Sequence, residues 1–168
     1  MKPRVFALAL SCAFIHPSAP AQPGSSADPV LGTWALDPGA SVFINREAPL
    51  AETRVYKRHE RGVEVHIVTI DRQGVRHEVT YTARPDGAEH PVYGAQGAEH
   101  VTLHVAGPGR AEAVFTHGGK EVGKTVRELS REGNTMTVAL TWNGNLLSRA
   151  VYRKVDDAEE TGAEAVAE

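Results

Sequence analysis

From Glu52 onward the chain alternates apolar and polar residues in short runs. Val75, His77, Val79, Tyr81 and Ala83 share one face of such a run, and Arg76, Glu78, Thr80, Thr82 and Arg84 share the other. A period of two is the signature of a half-buried β-strand. Val101, Leu103 and Val105 stand against His100, Thr102 and His104 in the same way, and Met136, Val138, Leu140 and Trp142 against Thr135, Thr137, Ala139 and Thr141. Between the runs lie turn signals: Arg61-Gly62, Gln73-Gly74, Asp86-Gly87, Pro108-Gly109, Gly118-Gly119, Gly133-Asn134 and Asn143-Gly144-Asn145. Several of them put Gly or Asn where a tight hairpin needs a positive φ. The pattern predicts ten strands, over 31–36, 52–60, 63–71, 75–84, 90–93, 99–105, 110–117, 121–130, 135–142 and 146–154.

Strands with one polar face form a sheet covered on one side only, and an open sheet of this width would leave two adhesive edges. Closure removes both. No segment shows sustained helical periodicity. The stretch 37–51 contains Pro38, Gly39 and Pro49 and leaves room for at most one short helical turn. The expected fold is therefore all-β, a single antiparallel up-and-down barrel of about ten strands. An eight-stranded barrel is the alternative if two of the short runs are not strands.

The chain ends change the picture of where the protein works. Lys2 and Arg4, an apolar run over 5–15 and the small residues Ala19-Pro20-Ala21 read as a signal peptide over 1–21, cleaved after Ala21. The run is too short to anchor the chain, since spanning needs roughly 20 apolar residues, and no later segment is a candidate transmembrane span. Cys12 leaves a lipoprotein anchor as the minor alternative. Cleavage after Ala21 removes the only cysteine, so the mature chain has neither disulfides nor thiol chemistry. Residues 22–29 read as a flexible leader, 30–155 as the domain, and 156–168 as a disordered acidic tail carrying Asp156, Asp157, Glu159, Glu160, Glu164 and Glu168. Within the domain acids and bases nearly balance, which argues against a nucleic-acid partner. An exported protein, periplasmic or secreted, is expected.

Gly32-Thr33-Trp34-Ala35-Leu36 resembles the G-x-W opening of calycins, the superfamily of lipocalins and fatty-acid-binding proteins. Gly133-Asn134-Thr135-Met136-Thr137-Val138, the Asn143-Gly144 hairpin and Val151-Tyr152-Arg153-Lys154-Val155 resemble the closing strands of a fatty-acid-binding barrel. The stretch from Tyr81-Thr82-Ala83 through Asp86-Gly87 to Pro91-Val92-Tyr93-Gly94 is similar to one in exported bacterial lipocalin-like proteins. The resemblance spans roughly 30–155. It implies a small-molecule carrier, and a structural Trp34 packed across one barrel end against a basic side chain from a late strand, with Arg127, Arg149 or Arg153 as candidates. Fatty-acid-binding proteins commonly hold a carboxylate with Arg and Tyr two residues apart on the last strand. Here Arg149 and Tyr152 stand three apart and face opposite ways, with Ala150 two before Tyr152.

Parity places His77 and Tyr81 with Val75 and Val79, His117 with Phe115, and Tyr152 with Ala150, so His77, Tyr81, Phe115, His117 and Tyr152 are the candidate ligand contacts of the barrel interior. A satisfied polar core network, or a solvent-facing position if the two strand faces are reversed, is the alternative for the same side chains. His100 and His104 share a face but lie about 13 Å apart, too far to chelate one ion. The repeated Gly-Ala-Glu-His at 87–90 and 97–100 makes His90 and His100 a weak cross-strand metal pair if a hairpin centres on Ala95. No nucleophile elbow, phosphate loop or cofactor motif occurs. The leading reading is a non-enzymatic carrier of a small apolar molecule. An interaction module with a filled barrel and a secreted enzyme of unknown chemistry are the alternatives.

Overall fold

The computed structural model describes residues 28–155. The signal peptide expected at 1–21, all of the leader before residue 28 and the acidic tail expected at 156–168 lie outside the described residues. Ten strands follow one another: β1 (Gly32–Phe43), β2 (Ala51–His59), β3 (Gly62–Ile70), β4 (Arg76–Ala83), β5 (His90–Tyr93), β6 (His100–Gly107), β7 (Arg110–His117), β8 (Lys120–Leu129), β9 (Thr135–Trp142) and β10 (Asn145–Val155). Each pairs antiparallel with its neighbours in sequence, and β1 pairs with β10 to close the barrel. This is the ten-stranded up-and-down barrel that alternation predicts; the eight-stranded alternative falls away.

The first strand departs from expectation by running on to Phe43, with no helical turn. Pro38 and Gly39 sit in a bulge where the β1–β10 register shifts between Asp37 and Val42. A bulge is one of the few places in a sheet that tolerates proline. Side chains fill the hydrogen bonds that the ladder loses there: Asp37 Oδ1 accepts from the Ala40 amide at 3.1 Å, and Ser41 Oγ accepts from the Val151 amide at 2.8 Å while donating to the Asp37 carbonyl at 2.7 Å.

The wall is thinnest around β5. That strand pairs in register with β4 at just Thr80–Tyr93 and Tyr81–Val92, and with β6 at just His90–Val101 and Pro91–His100. Gly94 makes the β4 contact possible, because at φ 78° a Cβ there would lie 1.9 Å from the Glu78 carbonyl oxygen. The β5–β6 register corrects the metal reading. His90 opposes Val101, one residue away from the pairing that would set it opposite His100, so the two imidazoles stand on opposite faces of the sheet. His90 Nε2 instead meets Asp86 Oδ1 at 3.2 Å, and among the described residues no group of three or more His, Cys, Asp or Glu side chains is placed to hold a metal ion.

One barrel end, the floor, carries Val30 and the turns after β2, β4, β6 and β8; the other, the mouth, carries 44–50 and the turns after β3, β5, β7 and β9. Trp34 is fully buried at the floor, its Nε1 donating to the Val30 carbonyl at 2.8 Å. Its basic partner is Lys154, directly opposite in the ladder, with Nζ 5.3 Å from the ring centre. Arg149 and Arg153 are not that partner, because on β10 they alternate with the inward-facing Ala150 and Tyr152 and must point out. Arg153 pairs with Asp37 at 3.1 Å outside, and Arg127 faces inward but stacks over Tyr56, 5.3 Å from the ring centre.

Candidate ligand-binding site

The inward positions of the strands do not fill the barrel. At the mouth lies an open cavity of about 530 Å³ lined by Arg46, Pro49, Arg72, His77 and Ala95 among others. It shares Arg46, Thr69, Val79, Ala95 and Trp142 with an inner cavity of about 170 Å³ whose apolar walls are Ile67, Val79, Phe115 and Leu140. That cavity shares Arg54, Tyr81 and Thr125 with a third of about 80 Å³ above the floor, bordered by Tyr56, Val65, Leu103 and Arg127. The lumen is therefore a series of adjoining spaces that shrink from the open mouth to the floor, the concave and mainly apolar form that small-molecule sites take.

Polar groups converge on the middle of this lumen. Strand β2 turns Glu52, Arg54 and Tyr56 inward and leaves Thr53 and Val55 outside. Arg54 grips Glu52 through Nη2 at 2.8 Å and Nε at 2.9 Å and lies over the Tyr152 ring at 4.8 Å. Tyr152 donates its phenol proton to Glu52 Oε1 at 2.6 Å, and Thr69 donates to Oε2 at 3.3 Å. Burial pushes the Glu52 carboxyl up, but the Arg54 charge and the hydrogen bonds from Tyr152 and Arg54 outweigh it and hold Glu52 below the usual range. Burial raises the phenols of Tyr152 and Tyr81 well above theirs. The network is thus an internally neutralised Glu–Arg pair with neutral tyrosines around it.

Arg127 is different. Its Nε is buried and has no hydrogen-bond partner among the described residues, and no carboxylate forms an ion pair with it there. The residue as a whole is half-buried, so the cost falls on Nε, which has neither solvent nor a protein acceptor in reach.

The structure separates the five residues singled out from the sequence. Tyr81 and Phe115 are buried in the lumen, ring centres 6.1 Å apart and edge to face. Tyr152 is also inside, but Glu52 takes up its hydroxyl. His77 stands at the mouth with Nε2 2.8 Å from Asp71 Oδ2, a contact that lowers the Asp71 carboxyl. His117 is outside the lumen, which corrects its reading as an interior contact: it ends β7 at the Gly118-Gly119 turn, is exposed, and faces Glu99 at 3.5 Å. Alternation specifies a face, yet at the last residue of a strand that face has no barrel wall opposite it.

Sequence reasoning missed Glu52, Arg54, Tyr56 and Trp142 as lumen groups and assigned Arg127 only to Trp34. The signal at β2 was present as an alternation of inverted polarity, charged residues in and Val55 out, which ordinary inside-outside reasoning assigns to solvent.

No protein-family model matches this sequence, and a search of curated proteins finds no match. Solved structures do share its architecture. The fluorescent protein UnaG is 17% identical, with a TM-score of 0.55 over 76% of this chain and 98% of that one. The REP1-NXSQ fatty acid transporter is 15% identical, with a TM-score of 0.55 over 76% of this chain and 97% of that one. At such identity the likeness is one of fold alone: the chain shares the closed β-barrel architecture of these two proteins.

Proposed function

We propose that this protein is an exported, lipocalin-like carrier that takes up a small, mainly apolar molecule through the barrel mouth. The observation that carries this reading is the graded lumen, open at Arg46 and His77 and walled farther in by Ile67, Val79, Phe115 and Leu140. A barrel packed solid, as an interaction module requires, would not contain it. That one structure of the same fold is a fatty acid transporter supports the reading by analogy. The pairing of Glu52, the buried carboxylate of the lumen, with Arg54 and Tyr152 supports a binding role over a catalytic one.

The molecule carries one acidic group, directed at Arg127. Arg54 is already neutralised by Glu52, and of the other lumen arginines Arg127 is the one with a buried side-chain nitrogen, Nε, that has no hydrogen-bond partner among the described residues. An entering carboxylate supplies the missing acceptor and charge. Native mass spectrometry of protein purified from its own host tests the reading, with a bound organic acid expected. Calorimetric titration of that acid into Arg127→Gln is expected to show a loss of about tenfold or more in affinity. Absence of any bound small molecule, together with no uptake of organic acids, would refute the carrier; unchanged affinity in the variant would refute the role of Arg127.

A further inference from the structure

Trp142 occupies an unusual seat. Its indole lies flat on Gly123 of the neighbouring strand, so closely that a Cβ on Gly123 would stand 2.1 Å from Cε3 and 2.4 Å from Cζ3. The Gly97 turn closes on another edge, where a Cβ would come within 3.7 Å of Cζ2. Gly123 thus makes the seat in which the ring lies against the wall, and the Gly97 turn packs beside it at ordinary contact distance. Trp142 is not part of the sealed core. It borders both the mouth and the inner cavity, at the throat between them.

The ring also begins a continuous aromatic wall. Phe115 follows at 6.3 Å and a tilt of 43°, and Tyr81 after it at 6.1 Å and 84°. The three run from the throat down to the floor cavity, which Tyr81 also borders. Arg46 stands in the same throat and adds a planar cation. A flexible saturated chain needs only bulk apolar contact and draws no advantage from a flat ring. A planar conjugated molecule gains stacking on the indole beyond the burial of its area, and gains most where the platform is already seated against the wall.

From this geometry we infer that the lumen selects a planar, conjugated ring system over a saturated acyl chain, with Trp142 as the stacking platform at the throat. The inference rests on the carrier reading above and specifies its ligand class. Its test uses two carboxylates of equal carbon number, 2-naphthoate and undecanoate, titrated calorimetrically into the mature protein. Naphthoate is expected to bind about tenfold tighter, and Trp142→Leu to erase that advantage while leaving undecanoate within about twofold. Trp142→Phe, which keeps a platform, is expected to retain most of it. Gly123→Ala, which leaves Trp142 in the chain but evicts its ring from the seat, is expected to act like Trp142→Leu, and it secures the test if the leucine variant folds poorly. Undecanoate binding as tightly as naphthoate, or a naphthoate affinity indifferent to both Trp142→Leu and Gly123→Ala, overturns the inference and leaves the carrier standing. Failure of both acids to bind overturns the two together.

Discussion

The phenol of Tyr152 donates a 2.6 Å hydrogen bond to Oε1 of Glu52. The two residues belong to β10 and β2, the strands that flank β1 where the barrel closes, so one bond links both neighbours of the closing strand inside the wall.

Removing the phenol oxygen leaves a buried carboxylate short of a donor. Tyr152→Phe is therefore expected to lower stability by about 1.5–3 kcal/mol, the range for buried hydrogen bonds to charged groups. Urea unfolding should show a lower midpoint with an unchanged slope. A midpoint within error of the wild type would mean that Arg54 and Thr69 already satisfy Glu52.

The same carboxylate sets part of the acid response. The folded Glu52 titrates below its ordinary value of 4.5, so its contribution is complete above that pH and is lost as pH falls through the lower, folded value. Asp37, Asp71, Asp86 and Glu99 are lowered as well and act in the same direction. Glu52→Gln is expected to be less stable than the wild type at neutral pH, with the gap narrowing as acid is added. A gap that stays constant down to the acid transition contradicts this assignment.

At the floor, Lys154 and not a β10 arginine closes over Trp34. Lys154→Ala is expected to cost about 0.5–1 kcal/mol, the range for an accessible cation–π pair, and Arg149→Ala less than about 0.5 kcal/mol. Thermal or urea unfolding of the two variants side by side distinguishes them, and an equal loss in both would dissolve the Trp34–Lys154 pairing as a stabilising contact.

Export is testable at the chain's beginning. Intact-mass measurement of protein from its host is expected to give a mature chain starting at Gln22. A lipid-modified Cys12 at the N-terminus would place the protein on a membrane instead.

Alternation and turn chemistry are local properties, which is why they could be read along the chain. The bounds predicted for 90–93, 110–117 and 135–142 coincide with β5, β7 and β9, and Gly118-Gly119 and Asn143-Gly144 mark real hairpins. Closure followed from the same reading, because a barrel removes both edges of a sheet of ten one-faced strands at once. Period-two parity also grouped Tyr81, Phe115 and Tyr152 with their apolar neighbours, and the barrel turns that shared face inward.

What the sequence determined by itself, then, was the number of strands, the barrel and most of its inward positions. The tertiary structure alone decided which residues meet. Extension of β1 past Pro38 depends on a bulge stitched to Val151, and the separation of His90 from His100 depends on a one-residue register. Lys154 meets Trp34 because the β1–β10 ladder sets them opposite. Glu52 and Tyr152 lie 100 residues apart, and the Trp142 platform needs Gly123 beneath it from another strand. A local pattern gives the face of each side chain, but contact across the lumen depends on stagger and closure, which exist only once the barrel has formed.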